Sequence, residues 1–337
     1  MRKYLFVLSL IASLATRAQP FNNEWINYSQ PYYKFKIGTN GLFRIKQPVL
    51  ASLGLASTGA EQFQLWRNGK EIPLYITIAS GPLGSSDYIE FWGEANDGLP
   101  DKSLYRQPDF QLSDRYSLLT DTASFFLTVT SGGGHLRYTN TLNNLPSALP
   151  AEPYFMYKTG AYFREKINRG FADVNSGTYL YSSSYDIAEG WSSNDFDSSY
   201  SKQMVLSGLQ AYTGGGAPNA LLSLMLAGTS ANNHTYEVKL NGTTIHTQSF
   251  SGFNSDRSDI NLTPAQLNTS TLTTDIINTS NSTSNRLIVA KAELSYARQF
   301  NFGGADKFRF TLTANATGNY LEIAGFNYGS VSPVLYD

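Results

Sequence analysis

Three asparagine–glycine pairs, each set between short runs of alternating apolar and polar residues, restrict this chain more than any other feature. Tyr33-Lys34-Phe35-Lys36-Ile37 has the period of two that marks a half-buried strand, and it leads through Asn40-Gly41 into Leu42 to Ile45. Phe63 to Arg67, Asn68-Gly69 and Lys70 to Leu74 repeat the device, as do Tyr236 to Leu240, Asn241-Gly242 and Thr243 to Thr247. Both residues of such a pair tolerate the positive φ of a primed two-residue turn, so each pair is expected to close a β-hairpin. The flanking runs share no wording, so this is common turn chemistry and not an internal repeat. The expected fold class is all-β in the main.

Further strands are expected at Asp87 to Trp92, Ser124 to Val129, Gln203 to Leu209, Leu221 to Ala227, Arg286 to Tyr296, Lys307 to Thr313 and Tyr320 to Phe326. Pro48 to Leu53, with proline at its start and Gly54 behind it, reads as one short helix. The triple glycine at 132–134 and the proline-bearing stretch Asn140 to Pro153 mark the break between domains. The expected order is a signal peptide over 1–18, a small β-rich domain with one short helix over 19–139, and a linker over 140–153. A β-sandwich or jelly-roll-like domain follows over 154–330, and 331–337 begins a further connection. Tyr154 to Tyr185 is aromatic-rich and carries no assignable element. The Thr/Ser/Asn-rich stretch Asn268 to Asn285 reads as an exposed loop.

Met1-Arg2-Lys3, the mostly apolar run Tyr4 to Leu14 and the small residues around Ala18 have the layout of a secretory signal peptide. The apolar run is shorter than the ~20 residues a spanning helix needs. The chain is therefore expected to be exported, to the cell surface in association with the outer membrane or to the extracellular medium. Composition then narrows the chemistry. Zero cysteines exclude disulfides, thiolate metal sites and a thiol nucleophile, and three histidines leave little for acid–base work. A net charge of −1 gives no pull toward nucleic acid. Aromatic residues make up 14% of the chain, and they suit either a half-buried sheet or a surface on which sugar rings stack.

There is no P-loop, no dinucleotide fingerprint, no Gly-x-Ser-x-Gly elbow and no His-Glu-x-x-His. His135, His234 and His246 lie at no spacing that compels a triad, and read as surface or hairpin residues. The segment Asp87 to Asp101 is densely acidic. Its Asn96-Asp97-Gly98 and Asp101 could supply oxygens to calcium, with Asp97 and Asp101 as the candidate ligands, or could be ordinary turn chemistry. No other cofactor is expected. Glu90 and Glu94 share a strand face, a weak parallel to paired glycosidase carboxylates. Glu189-Gly190-Trp191 sets an acid and an indole beside a glycine, and these make Glu189 and Trp191 the candidate ligand-binding residues. The alternative for the same residues is a loop that Trp191 tucks over the sandwich. Asn-x-Ser/Thr triplets such as Asn233-His234-Thr235 signal surface exposure.

Several longer strings carry a resemblance. They include Trp25-Ile-Asn-Tyr28-Ser-Gln-Pro-Tyr32-Tyr33-Lys34, Phe63-Gln-Leu-Trp66-Arg-Asn68-Gly69-Lys-Glu71 and Asp87-Tyr-Ile-Glu90-Phe91-Trp92-Gly93. Asp114 to Leu127, Phe163 to Ala172, Ser183 to Trp191, Ser295 to Phe300 and Tyr320 to Phe326 continue the series. In order and wording these resemble the N-terminal, non-peptidase part of PorU-type sortases of the Bacteroidetes type IX secretion system. That family carries a gingipain-like cysteine peptidase domain downstream, with a Cys nucleophile and a His base in a Gly-His-Gly-like context. This chain has no cysteine, and Gly134-His135-Leu136 lacks the second glycine, so no catalytic residue is assigned in this chain. Val334 to Asp337 resembles the link into the peptidase, as at the end of a fragment or a natural truncation.

The resemblance implies an accessory region that positions a downstream peptidase domain of the same polypeptide, or contacts type IX secretion components and cargo sorting domains. Composition supports a rival: a stand-alone carbohydrate-binding β-sandwich at the cell surface, whose partner is surface polysaccharide. A hydrolase built on Glu90 and Glu94 is a third reading, and nucleic acid is not among the expected partners.

Overall fold

Alternating burial organises the structure, a computed structural model that describes residues 23–143, 149–182, 184–198, 200–316 and 318–337. The expected signal peptide over 1–18 lies outside the described residues, as does the middle of the expected linker. The fold is mainly β, with antiparallel sheets throughout and a β-sandwich as its larger part. Among the described residues no helix is long and apolar enough to cross a membrane. The chain divides into two compact units. One comprises the described residues up to Ala95 together with Thr122–Thr141, and the other Asn96–Asp121 with Leu142–Asp337.

The first unit contains β1 (Tyr32–Ile37), β2 (Gly41–Lys46), α1 (Gln47–Ser52), β3 (Phe63–Arg67), β4 (Lys70–Ile72), β5 (Tyr75–Ile76), β6 (Tyr88–Gly93) and β7 (Ala123–Val129). Its sheets have the orders β1-β7-β3-β4 and β2-β6-β5. The helix forms as expected, with Pro48 in its first turn and Gly54 at φ +80° just past its end. Phe91 of β6 joins the two sheets, with ring centroids 5.9 Å from Phe35, 6.0 Å from Phe43 and 5.7 Å from Phe125.

Two of the three expected hairpins form. Asn68 and Gly69 have φ of 49° and 74°, and Asn241 and Gly242 have 47° and 82°, as primed turns require. Asn40-Gly41 does not close a hairpin. β1 pairs with β7 and β2 with β6, so the pair carries the chain from one sheet to the other. Neither residue has positive φ there, and the Asn40 side chain instead accepts the Ala95 N–H at 2.9 Å. A hairpin would have put Phe35 and Phe43 in one layer; apportioning them to two sheets lets both rings meet Phe91.

The second unit holds β8 (Phe155–Tyr162), β9 (Lys166–Arg169), β10 (Ala172–Asn175), β11 (Thr178–Tyr181), β12 (Glu189–Ser192), β13 (Ser201–Ser207), β14 (Ala220–Gly228), β15 (Asn233–Leu240), β16 (Thr243–Ser251), β17 (Ser255–Leu262), β18 (Thr271–Asn278) and β19 (Leu287–Arg298). Sheets β13-β18-β15-β16 and β17-β14-β19-β8 face each other as a sandwich. Between them lie Leu222, Leu224, Tyr236, Val238, Leu272, Ile276, Val289 and Leu294, all buried. Each such side chain contributes ~1.5–3 kcal/mol by leaving water.

Two expectations are corrected here. The stretch Asn268 to Asn285 is not a loop throughout. Its residues Thr271–Asn278 form β18, an inner strand, in which Leu272, Thr274, Ile276 and Asn278 face the core. Threonine's β-branch fits a sheet interior, and the polar letters hid the alternation. Lys307 to Thr313 and Tyr320 to Phe326, conversely, are not strands of a ladder. Phe308, Phe310 and Leu312 pack onto Phe155, Phe300 and Phe302, so the period of two records one-sided burial alone. Tyr320 and Ala324 make only isolated bridges, to Ala151 and Asn301.

Candidate functional site

Glu189 and Trp191 sit on β12, which pairs with β9 so that Trp191 lies opposite Ile167. Between them Gly190 has φ +147°, and a methyl added there would stand 3.2 Å from the Leu112 Cβ. Only glycine combines that backbone angle with so close an approach. The glycine thus admits residues 96–121, whose Leu112 packs with Ala188, Met225, Ala227, Ile288 and Ala290 on the outer face of a sandwich sheet.

Polar contacts close the same junction. The Trp191 indole N–H donates to the Ser117 carbonyl at 3.0 Å, and the Arg164 guanidinium lies 4.7 Å from the indole centroid and 5.0 Å from that of Tyr116. Arg164 also makes a two-pronged pair with Asp121, at 2.8 and 3.0 Å. The Tyr105 hydroxyl donates to the Glu189 carbonyl at 3.1 Å, and Arg106 pairs with Asp186 at 3.2 Å. The Glu189 carboxylate accepts the backbone N–H groups of Tyr185 and Asp186. Burial, and then the Glu189 charge, push the Tyr105 phenol far above its ordinary range. The structure therefore brings both candidate residues together, in a clasp that fastens 96–121 to the sandwich. Trp191→Phe keeps the ring and removes the indole hydrogen bond, so it is expected to cost ~0.5–1.5 kcal/mol in urea denaturation. An unchanged midpoint would remove Trp191 from the clasp.

Asp97 and Asp101 serve two different turns. Asp97 Oδ1 accepts the Leu99 N–H at 3.0 Å, an aspartate turn. Asp101, only 3% exposed, accepts the Ser117 hydroxyl at 3.0 Å on both oxygens and the Leu118 N–H at 2.7 Å. Protein donors thus satisfy Asp101 and anchor the loop that receives Trp191. Among the described residues no group of three or more His, Asp or Glu side chains is arranged to hold a metal ion.

Glu90 is buried in an ion pair with Arg44, and Glu94 pairs with Arg67 at 3.2 Å while accepting the Trp92 indole N–H at 3.2 Å. His135 approaches Glu71 at 3.9 Å. His234 is fully buried, with Nδ1 2.6 Å from Asn285 Oδ1 and Nε2 2.9 Å from the Gly252 carbonyl.

His246 enters a contact that linear spacing concealed: its Nε2 lies 3.0 Å from Ser258 Oγ. Asp256 accepts from Ser258 at 3.1 Å and from the Tyr236 hydroxyl at 2.6 Å, whereas a Ser–His–Asp triad needs the carboxylate on the imidazole. Ser258 is also buried. The cluster ties β15, β16 and β17 together, and burial aided by the Asp256 hydrogen bond pushes the Tyr236 phenol far up.

Sequence reasoning also missed two clefts formed by loops of the sandwich. One, of about 400 Å³, is lined by Glu152, Tyr212, Gln299, Asn301 and Glu322 among others. The second, of about 430 Å³, lies along 208–211 and 267–270. Its loop residues come from distant stretches, and only their small and polar letters hinted at them.

No protein-family model matches the sequence, and no curated protein matches it. Solved structures do. Dimeric latent PorU from Porphyromonas gingivalis aligns with 81% of this chain and 25% of its own length, at 11% identity and a TM-score of 0.48. The carbohydrate-binding module CBM36, in complex with calcium and xylotriose, aligns with 42% of this chain and 98% of its own, at 15% identity and a TM-score of 0.24. A family 35 carbohydrate-binding module from Clostridium thermocellum aligns with 41% of this chain and 97% of its own, at 11% identity and a TM-score of 0.23. The chain thus spans about a quarter of the PorU chain it resembles, and each whole module spans less than half of this chain.

Proposed function

We propose that this chain is the non-catalytic framework region of an exported, cell-surface cysteine peptidase of the gingipain-like sortase type. In this reading it positions a peptidase domain of the same polypeptide and holds type IX secretion components or cargo sorting domains for it. The observation that carries the reading is how the family-like strings meet. Asp114 to Leu127, Phe163 to Ala172 and Ser183 to Trp191 are far apart in sequence. They converge in one clasp through Trp191–Ser117, Arg164–Asp121 and the packing of Arg164 on Trp191. Phe63 to Glu71 builds the β3–β4 hairpin, and Asp87 to Gly93 supplies the ring that joins two sheets. The strings that carry the resemblance fall on framework residues, which supports a positioning role.

Chemistry supports the same division of labour. The parent enzyme would need a thiolate nucleophile and a histidine base, and this chain has no cysteine. Its Ser258–His246 contact is spent on tying strands. Reading the gene beyond the codon for Asp337 tests the proposal. The expected result is an open frame encoding a histidine and a cysteine in a peptidase context; a stop codon there overturns it.

A further inference from the structure

We infer that the 400 Å³ cleft of the second unit is a binding site for a neutral saccharide, an inference independent of the peptidase reading. Four stretches build it: Ala151 to Pro153, the loop Tyr212 to Gly214, residues 299–301, and Glu322 with Ala324. Tyr212 offers an aromatic surface, and it is stacked on Tyr154 with centroids 5.2 Å apart and planes 28° apart. A ring backed in this way is a rigid platform for the apolar face of a sugar. Gly214 closes on the ring so tightly that a methyl there would come within 2.6 Å of the Tyr212 hydroxyl. The loop is therefore shaped to the tyrosine.

Around the platform stand two amides and two carboxylates, the side chains suited to paired sugar hydroxyls. Glu152 Oε1 accepts the Asn319 amide at 2.7 Å, and Glu322 Oε1 accepts the Tyr320 hydroxyl at 2.9 Å. Gln299 donates to the Ala211 carbonyl at 2.9 Å, and the Asn301 side chain accepts the Gly303 N–H at 3.0 Å. Each polar group is thus held in place by one bond, and a carboxylate or amide oxygen can accept more than one. Among the described residues no lysine or arginine lines the cleft, so the two carboxylates select against anionic ligands.

A buried cation fixes the walls from beneath. Arg298, 7% exposed, donates to the Leu209 carbonyl at 2.9 Å and to the Asn301 carbonyl at 3.0 Å, while packing over the adjacent Tyr157 and Phe308 rings at 5.2 and 5.1 Å. It ties the loop that leads to Tyr212 and the wall bearing Asn301 to β19. Such a site is formed before its ligand arrives, which lowers the ordering cost of binding.

Affinity electrophoresis of the whole chain tests this, in gels cast with soluble xylan, dextran, galactomannan or, as the anionic counterpart, polygalacturonate. The expected result is retardation in at least one neutral gel, weakened about tenfold or more by Tyr212→Ala and by Glu322→Gln. Trp191→Phe should leave it unchanged. Glu322 is exposed, so its substitution decides the matter if Tyr212→Ala disturbs folding. No retardation in any neutral gel, retardation by polygalacturonate alone, or retardation that survives Glu322→Gln would overturn the inference.

Discussion

Above pH 10 the second unit is expected to lose stability steeply, by about 1.4 kcal/mol per pH unit for each tyrosine that the fold keeps un-ionised. Burial is the largest cause at Tyr105, Tyr162, Tyr236 and Tyr296. It raises Tyr105 with help from the Glu189 charge, Tyr236 with help from its hydrogen bond to Asp256, and Tyr162 with help from Glu293. Burial raises Tyr296 as well, although the neighbouring Arg298 opposes it. The folded-state values lie above the unfolded one, so this stability is complete below pH 10. It is lost as the pH climbs from there through the folded-state values. In that window the unfolded chain gives up protons that the folded chain retains.

Tyr105 and Tyr236 alone would remove roughly 3 kcal/mol per pH unit, against a total stability of about 5–15 kcal/mol for a typical domain. Urea denaturation at several pH values between about 9 and 12 measures the slope, and phenolate absorbance shows that ionisation and unfolding coincide. Tyr236→Phe should make the slope shallower while lowering stability at neutral pH by ~1–3 kcal/mol, because Asp256 loses a buried donor. Stability unchanged through about pH 11.5 would contradict these burial assignments.

Phe91→Ala is expected to cost the first unit ~3–5 kcal/mol, the range for truncating a fully buried phenylalanine. Phe91 is buried and its ring touches those of Phe35, Phe43 and Phe125, drawn from both sheets. The void would open between the two layers, where neither sheet can close it without moving the other. Phe91→Leu should recover most of the loss. Equilibrium unfolding of the two variants checks the assignment, and a cost below about 1 kcal/mol for the alanine variant would show that the layers do not rely on this ring.

How far the sequence announced all this differs from element to element. Period-two runs located β1, β3 and β15 because each buries mainly one face, whereas β6, β14 and β19 showed as near-continuous apolar runs buried on both faces. Asn-Gly announced two hairpins and misled at Asn40. Local propensity permits a primed turn there, and the requirement to supply both layers with phenylalanine prevails. β18 was hidden because its inward Thr274 and Asn278 look like loop residues. Lys307 to Thr313 was overread because alternation cannot distinguish packing from ladder bonds. At the candidate site, Gly190 and Trp191 were legible as a pair that needed explanation. Their partners Leu112, Ser117 and Asp121 were not, since 96–121 leaves the strand order of the first unit to pack with the second. The Ser258–His246 contact and the Tyr212 cleft were beyond reach for the same reason, being products of strand register and loop convergence.

The proposed framework role is tested most directly in the source organism, by deleting the codons for residues 23–337 in frame and following a secreted cargo protein that bears a sorting domain. The account predicts that the cargo accumulates with its sorting domain uncleaved, and that restoring the chain restores processing. Cargo cleaved and attached at the normal rate in the deletion strain would contradict it.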